Sequence, residues 1–238
     1  MTAEDAGGEL WDLQNLAAAR RYCDWIFEQF EDAIAGSVAE IGAGIGTFSE
    51  RILSRGVDRL LLVEPEAACM AELRSRFAAD PRVELAAEEV PGSPTLERSS
   101  GAFDFVLCQN VLEHIPDHAG ALRALAAALR PGGRLGLLVP ANPRLFGPLD
   151  RAYGHERRYE RDSLAQLVSA AGFEIDEIYP FNLPGVPAWW LKSRIGGPGI
   201  GGRSLRLYEP VVRAWRPVEQ RRRPPVGLSL IVRARVSA

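Results

Sequence analysis

The feature that most constrains the fold of this chain is a glycine-rich turn between a short apolar segment and a helix. The segment Val38-Ala39-Glu40-Ile41 predicts a strand, which runs directly into Gly42-Ala43-Gly44-Ile45-Gly46. Helical character resumes from Thr47 to Ser54. Glycine tolerates tight turns and lets a ligand approach the main chain closely. This order of strand, alternating glycines and helix predicts the ligand-binding edge of a parallel α/β sheet.

The remainder of the chain alternates between predicted strands and predicted helices. Strands are predicted at residues 59–63, 83–86, 103–108, 134–139, 173–179 and 227–236. Helices are predicted at residues 10–33, 66–79, 118–130 and 161–171, with shorter ones near 188–195 and 205–214. This alternation indicates an α/β fold with a doubly wound, mostly parallel sheet. We expect one domain over residues 1–238, with an N-terminal helical cap (1–36) and an insertion (180–226) before the last strand.

The net charge and the cysteines indicate which partners and which cellular compartment we expect for the protein. The net charge of -3 provides no positive field for a phosphate backbone, so we expect no nucleic-acid partner. Three cysteines without regular spacing argue against a disulfide framework or a zinc site and favour a reducing, cytoplasmic setting. The first ten residues do not resemble a signal peptide, and no apolar run reaches the roughly 18 residues that a membrane helix needs.

An acidic residue, Glu64, ends the second predicted strand, 20 positions after Gly44. A carboxylate at this point can accept hydrogen bonds from both hydroxyls of a ribose, which indicates a nucleoside ligand. Nicotinamide-dependent enzymes place G-x-G-x-x-G at the preceding turn. Here the third glycine, Gly46, comes one residue early and Thr47 takes its usual position, which argues against a dehydrogenase. A plain tight turn with a solvated acid is the alternative interpretation.

A third motif connects these features to a known family. Phe103-Asp104-Phe105-Val106 begins a strand, and Leu112-Glu113-His114-Ile115-Pro116-Asp117 follows its polar end. Together with Glu40-x-Gly-x-Gly-x-Gly and Glu64, this motif resembles the class I (Rossmann-like) S-adenosylmethionine (SAM) dependent methyltransferases, particularly their small-molecule and natural-product branch. The resemblance runs from about Tyr22 to Val139. It implies a seven-stranded sheet whose last strand is antiparallel, SAM as the cofactor and S-adenosylhomocysteine (SAH) as its product.

The resemblance also implies which residues bind the cofactor. Glu40 is expected at the methionine ammonium group and Glu64 at the ribose, while Glu88 is expected at the adenine, with Glu89 as the alternative register. The other implied contacts are the backbone of Gly42, Gly44 and Gly46, the residues Asn110 and Val111 near the sulfonium, and Tyr22 on the cap. For Tyr22, as for Trp25 in the same Y-x-x-W-I pattern, ordinary core packing is the alternative.

The acceptor side is predicted from the segment after the fifth strand, which reads Gly154-His155-Glu156-Arg157-Arg158-Tyr159 and is similar to a stretch in bacterial methyltransferases of natural-product and glycan pathways. Histidine is a natural general base near neutral pH, so His155 is the first candidate for catalysis and His114 the second. The predicted substrate-binding residues are Tyr153, Arg157, Tyr159, Phe181 and Trp189. As alternatives, the arginines pair with nearby acids and the tryptophans dock the insertion on the sheet.

We therefore expect transfer of a methyl group from SAM to a small-molecule acceptor, most simply to a hydroxyl or carboxylate oxygen. A sugar or lipid-linked glycan acceptor and N-methylation are alternatives, and a non-catalytic SAM-binding protein is a more distant one. Trp189-Trp190-Leu191-Lys192 is compatible with peripheral contact with a membrane. No metal is expected, because Gln109-Asn110 stands where the metal-using branch has an acid.

Overall fold

The structure, a computed structural model, describes residues 13–195 and 202–237 and contains one seven-stranded sheet. Its strands are β1 (Ser37–Ile41), β2 (Arg59–Val63), β3 (Val83–Ala86), β4 (Phe103–Gln109), β5 (Leu129–Pro140), β6 (Phe173–Phe181) and β7 (Ser229–Val236). The strand order is β3-β2-β1-β4-β5-β7-β6. The pairings of β7 with β5 and with β6 are antiparallel, and the remaining pairings are parallel. The predicted fold class is thus confirmed, including the antiparallel last strand.

Helices cover both faces of this sheet. They are α1 (Arg20–Phe27), α2 (Ser49–Ser54), α3 (Ala67–Phe77), α4 (Pro94–Arg98), α5 (His118–Ala128), α6 (Pro148–Ala152), α7 (Arg161–Ala170), α8 (Gly185–Ile195) and α9 (Gly202–Arg221). Residues 13–18 are also helical. Short 3-10 helices lie at Glu31–Ala33, Leu112–His114 and Pro143–Leu145. Across the described ranges, no helix is both long and apolar enough to cross a membrane.

Two apolar clusters hold the layers together. On one face, Leu125 of α5 and Leu164 of α7 pack with Val106 of β4. On the other face, Trp25 of α1 and Val212 of α9 belong to the second cluster. Strands β1 and β2 are buried over four of their five residues, as expected for strands covered on both faces. The sheet therefore separates two cores, the arrangement that defines a doubly wound fold.

Two helix predictions needed correction. The helix predicted over residues 10–33 is interrupted at Ala19, whose backbone (φ -83°, ψ 64°) is not helical, and α1 ends at Phe27. The helix predicted to reach Arg130 ends at Ala128, and β5 begins at the next residue. The early part of β5 pairs with β4 through an irregular register between Phe103 and Phe105. A strand start containing proline and glycine is tolerated there because the ladder is already interrupted.

Glu209 joins the predicted insertion to the predicted cap, and the buried carboxylate of Glu219 joins α9 to the end of β6. The Glu209 side chain on α9 accepts hydrogen bonds from the backbone N–H groups of Arg21 and Tyr22, both at 3.2 Å. Glu219 is buried and accepts from the backbone N–H groups of Asn182 (2.9 Å) and Leu183 (2.8 Å). These bonds join α1, α9 and the end of β6. Residues 1–12 of the predicted cap and 196–201 of the predicted insertion lie outside the described residues.

Candidate active site

A cleft of about 300 Å³ opens at the carboxyl ends of β1, β2 and β4. The glycine turn forms its floor, and Leu13 and Leu16 of the N-terminal helical segment line it from the other side. The ends of the two flanking strands contribute Glu64 and Gln109. Because parallel strands end at the same edge of a sheet, motifs far apart in the sequence meet here. This is the position that the sequence predicts for a ligand.

The glycine turn has a conformation that other residues rarely adopt. Gly42 has φ +70°, and a Cβ atom built on it would lie 2.2 Å from the Cγ2 atom of Val111. Its N–H donates to the carbonyl oxygen of Val63 at 2.8 Å. The absence of a side chain thus lets the loop after β4 pack directly against the turn. Val111 and the glycine turn, both predicted to contact the cofactor, are thereby brought together.

Two buried acids, Glu40 and Glu64, lie at this cleft. Glu64 accepts hydrogen bonds from the backbone N–H groups of Gly44 (2.8 Å) and Glu66 (2.9 Å), and burial raises the pKa of its carboxyl group. Glu40 accepts from the Ser49 hydroxyl at 2.5 Å, and burial raises its pKa to about 8. Both acids line the cleft, and their contacts with the cofactor remain predictions.

The end of β4 supplies the opposite wall. Asn110 has a left-handed backbone (φ 52°), and its N–H donates to the Leu138 carbonyl oxygen at 2.9 Å. His114 lines the cleft beyond it, at the end of the 3-10 helix. Partial burial against the cleft wall, reinforced by neighbouring His155, lowers the pKa of His114 to about 4. His114 is therefore a neutral imidazole near neutral pH.

Behind His114 lies His155, which a buried acid holds in place. The two imidazole rings meet edge to face with their centroids 4.8 Å apart. The Nδ1 atom of His155 lies 3.0 Å from Oδ1 of Asp150, a fully buried carboxylate on α6. The same oxygen accepts from Nε of Arg158 at 2.7 Å, and Arg158 also donates to the Ala141 carbonyl oxygen at 3.0 Å. The Asp150 carboxylate, with Arg158 as its counter-ion, thus fixes the Nδ1 side of the His155 ring.

Aromatic side chains surround this histidine. The Trp189 ring of α8 stacks parallel to the His155 ring at 6.5 Å, and the Tyr153 ring lies 6.1 Å from each of them. The guanidinium group of Arg158 lies 4.6 Å from the centre of the Trp189 ring. Trp189 is buried, whereas its neighbour Trp190 is 46% exposed. The predicted residues Tyr153, His155 and Trp189 therefore form one aromatic group next to the cleft.

A third acid, Glu113, completes this region. It is fully buried, and neither of its carboxylate oxygens has a hydrogen-bond partner within residues 13–195 and 202–237. Burial raises its pKa to about 8. Its Oε1 atom lies 3.9 Å from Nε2 of His155, and the ligating atoms of Glu113, His114 and His155 all lie within 4.8 Å of one another. This spacing is compatible with a cation as well as with a protonated carboxyl, so the expectation of no metal remains a prediction.

Two predicted cofactor-binding residues, Tyr22 and Glu88, are not among the described residues that line the cleft. The Tyr22 hydroxyl accepts a hydrogen bond from Nδ2 of Asn182 at 3.3 Å, beside α9. Glu88, rather than Glu89, is engaged: its carboxylate accepts from the backbone N–H (2.9 Å) and the hydroxyl (2.7 Å) of Thr95 at the start of α4. Both side chains thus have partners within the protein, and their contacts with the cofactor remain predictions.

Three residues that the sequence predicts to bind the substrate make contacts within the protein. Arg157 donates to the Ile115 carbonyl oxygen at 2.6 Å and pairs with Glu156. The hydroxyl of buried Tyr159 donates to the Leu112 carbonyl oxygen at 3.1 Å. Phe181 is 1% exposed and packs on Trp25, with ring centroids 4.4 Å apart. These side chains serve the core and the loop after β5, so we do not assign them to the acceptor.

Sequence reasoning gave no role to Asp150, Glu113 or Gln109. Asp150 lies five positions before His155, a spacing that carries no recognisable signal by itself. Glu113 and Gln109 belong to a motif that the sequence does reveal, but their burial without partners is visible only in three dimensions.

Comparison with known proteins agrees with this geometry. A family model described as a methyltransferase domain matches residues 15–178, which is more than half of the chain. A ubiquinone biosynthesis O-methyltransferase from Aeromonas salmonicida is 30% identical over 144 residues, covering 60% of this chain and 58% of that protein. One of the same name from Pseudomonas aeruginosa is 35% identical over 132 residues, covering 52% of each. The chain thus spans a little over half the length of these curated relatives.

The fold is also found among solved structures. An S-adenosylmethionine dependent methyltransferase from Mesorhizobium loti superposes with a TM-score of 0.60 at 16% identity, covering 85% of this chain and 92% of that one. At this level of identity the likeness concerns the fold alone.

Proposed function

The chain belongs to the SAM-dependent methyltransferase family, and on that premise we propose that it transfers the methyl group of SAM to an oxygen atom of a small-molecule acceptor. The observation that carries this proposal is the Asp150-held imidazole of His155, 4.8 Å from the His114 ring that lines the cleft. A base at this position suits an acceptor that must lose a proton. Cys23, Cys69 and Cys108 are buried and form no disulfide among the described residues, which suits a reducing compartment such as the cytoplasm.

The residues at the cleft fit the cofactor. At Gly44, which lines the cleft, an added Cβ atom would meet only the Leu13 side chain, at 3.4 Å, so a ligand can approach the backbone of the turn there. Glu64 and Glu40 both line the cleft, and we infer that Glu64 would accept from the ribose hydroxyls and Glu40 would bind the ammonium group of the methionine part. Asn110, Val111 and His114 then lie on the side of the reactive sulfur. When bound, SAM supplies a methyl group activated by a positively charged sulfur.

The protein's own contribution to the reaction is a positioned base. Because Asp150 accepts from Nδ1, it holds the imidazole of His155 in the tautomer that leaves the lone pair of Nε2 free. Nε2 can then take the proton of an acceptor hydroxyl while its oxygen becomes the nucleophile. Glu113, 3.9 Å from Nε2, has a pKa of about 8 because of its burial, so it is predominantly protonated at neutral pH and leaves the base without a charged competitor.

The aromatic group next to the cleft supports a small organic acceptor. Tyr153 and Trp189 flank His155, and His114 separates this group from the cofactor side. Flat apolar side chains bind a small ligand by burial, and they exclude water from the reacting atoms. Since methyl transfer is an in-line displacement, holding the oxygen in line with the methyl group supplies much of the rate enhancement. Transfer to oxygen is also supported by the names of the relatives, which are O-methyltransferases.

The test is SAH formation with a panel of phenols, alcohols, carboxylic acids and amines, followed by mass and NMR analysis of the product. We expect an O-methylated product and a loss of turnover of about 10²- to 10⁴-fold in His155→Asn, the range typical of a general base. The matched control is His118→Asn, since His118 contacts Tyr159 outside the cleft. Exclusive N-methylation would contradict the oxygen assignment. SAH binding without turnover on any acceptor would favour the non-catalytic alternative.

A lipid-linked acceptor is the second candidate, and the exposed end of α8 favours it. Trp190 and Leu191 are 46% and 52% exposed, directly after Trp189, which stacks on His155. A tryptophan and a leucine on the surface beside Lys192 and Arg194 are typical of contact with a lipid interface. Cosedimentation with anionic vesicles tests this candidate. Binding that is lost in Trp190→Ser/Leu191→Ser would support it, and no cosedimentation of the wild-type protein would exclude it.

A further inference from the structure

One polar side chain in the cleft has no hydrogen-bond partner in the part of the chain that the structure describes. Gln109 ends β4 and lines the cleft, and both its amide nitrogen and its amide oxygen are buried without a hydrogen-bond partner among the described residues. Leaving a buried polar group unpaired is destabilising by roughly 1–3 kcal/mol. Native proteins therefore pair such groups with protein, water or ligand. An unpaired amide in a ligand cleft indicates that its partner comes from outside the chain.

The position of Gln109 specifies which end of the ligand it meets. The cleft spans the carboxyl ends of β2, β1 and β4, with Glu64 at the end of β2 and Gln109 at the end of β4. With β1 between them, these strand ends are about 10 Å apart. If the ribose lies at Glu64 and the sulfur near Asn110 and Val111, as inferred under the proposed function, the amino-acid part of the cofactor lies on the β4 side of the ribose. Gln109 is therefore at the methionine end of the site.

The same region contains an acid that complements the amide. In the paired strands Glu40 is opposite Leu107, two residues before Gln109, so Glu40 and Gln109 lie on the same face of the sheet. Leu13 and Leu16 add apolar side chains to the lining of the cleft. No arginine or lysine is among the described side chains that line the cleft. An α-carboxylate bound here would thus have no cationic side chain of the lining as its partner.

We propose that the Gln109 side chain binds the amino-acid end of the cofactor, with its amide N–H groups donating to the α-carboxylate. A primary amide offers two donors and one acceptor without adding charge. It suits a zwitterionic group whose ammonium is held by the Glu40 carboxylate beside it. The inference rests on the cofactor assigned under the proposed function but not on the identity of the acceptor.

The test compares two ligands that differ only at the proposed contact. SAH carries the amino-acid group, whereas 5′-methylthioadenosine carries the same adenosine and sulfur without carboxylate or ammonium. In calorimetric titrations we expect Gln109→Leu to weaken SAH binding by about 10- to 100-fold, as expected for loss of hydrogen bonds to a charged group. Binding of 5′-methylthioadenosine is expected to change by less than about twofold. Gln109→Glu, which places a negative charge toward the carboxylate, is expected to weaken SAH at least as much.

Thermal unfolding without ligand provides the second readout. Because the amide has no hydrogen-bond partner among the described residues, Gln109→Leu is expected to leave Tm unchanged or to raise it. Gln166→Leu, on the exposed face of α7, is the matched control and is expected to leave both ligands unaffected. Equal weakening of SAH and 5′-methylthioadenosine, unchanged SAH binding, or a marked fall in Tm would each overturn the proposal. None of these outcomes depends on finding the acceptor, so failure of the oxygen assignment leaves this test intact.

Discussion

The Nδ1 atom of His155 lies 3.0 Å from the Oδ1 atom of Asp150, and that oxygen also accepts from Nε of Arg158 at 2.7 Å. One buried carboxylate thus neutralises a buried guanidinium group and orients the proposed base at the same time. Stability and catalysis are therefore coupled at Asp150, and the two effects can be separated experimentally.

We expect Asp150→Asn to lower the free energy of unfolding by about 3–5 kcal/mol, because the buried guanidinium group of Arg158 loses its counter-ion. Urea unfolding measures this change. The control is Glu174→Gln, which removes an exposed pair with Arg235 and is expected to cost less than about 1 kcal/mol. Equal costs for both variants would contradict the structural role of Asp150.

The pH dependence of the Asp150 effect has a definite sign. Burial opposes ionisation of Asp150, but the hydrogen bond from His155 and the charge of Arg158 outweigh it and lower its pKa. A depressed carboxyl pKa contributes stability above the unfolded value of about 3.9, and this contribution is lost as the pH falls through the folded pKa. The stability difference between wild type and Asp150→Asn should therefore shrink below about pH 4, as followed by urea unfolding across pH. A difference that stays constant would refute this linkage.

Glu40 should show the opposite pH dependence. Burial, helped by repulsion from Glu64, raises its pKa to about 8, while the hydrogen bond from Ser49 and attraction by Arg76 oppose this rise. A carboxyl group whose pKa rises on folding makes the protein less stable as the pH climbs from about 4.3 toward the folded pKa. In SAM-free protein, Glu40→Gln should therefore raise Tm by a few degrees at pH 8 and make little difference at pH 5. A Tm difference that does not vary with pH would rule out this assignment.

Gly42→Ala should damage the cleft more than a glycine substitution elsewhere. Both Gly42 (φ +70°) and Gly56 (φ +74°) have left-handed backbones, but only at Gly42 would a Cβ atom meet a neighbour, the Val111 side chain at 2.2 Å. We expect Gly56→Ala to cost about 1–2 kcal/mol from backbone strain alone. Gly42→Ala should cost about 1–3 kcal/mol more and also weaken SAH binding, because the turn must shift. Urea unfolding and SAH titration of the two variants measure the comparison.

Treatment with a chelator distinguishes two roles of Glu113, His114 and His155. Either His155 acts as a metal-free base, or the three side chains together hold a cation. Because the proposed base needs a free Nε2 atom on His155, we expect turnover to be unchanged after treatment with EDTA and gel filtration. Loss of turnover that Mg²⁺ or Zn²⁺ restores would show that the three side chains, whose ligating atoms lie within 4.8 Å, hold a cation instead. Glu113→Gln then serves as the control, since it should abolish the metal response.

Much of the fold was predictable because its signals are local. The apolar runs at β1 and β2, the glycine turn after β1 and the acid at Glu64 each occupy a few consecutive residues, and their order along the chain implies a parallel sheet. Helix ends were predicted less well: the interruption at Ala19 and the early start of β5 depend on how these segments pack.

The sequence by itself determined the sheet and its ligand-binding edge, because these follow from short-range periodicity and glycine spacing, and its motifs carried the resemblance to the family. Only the tertiary structure decided which polar side chains are satisfied within the protein. In the folded chain, Tyr159 and Arg157 donate to backbone carbonyl groups, and Asp150 orients His155. The amide of Gln109 in the cleft has no hydrogen-bond partner among the described residues. Whether a polar group has a partner depends on atoms contributed by distant segments, and no local pattern in the sequence encodes that.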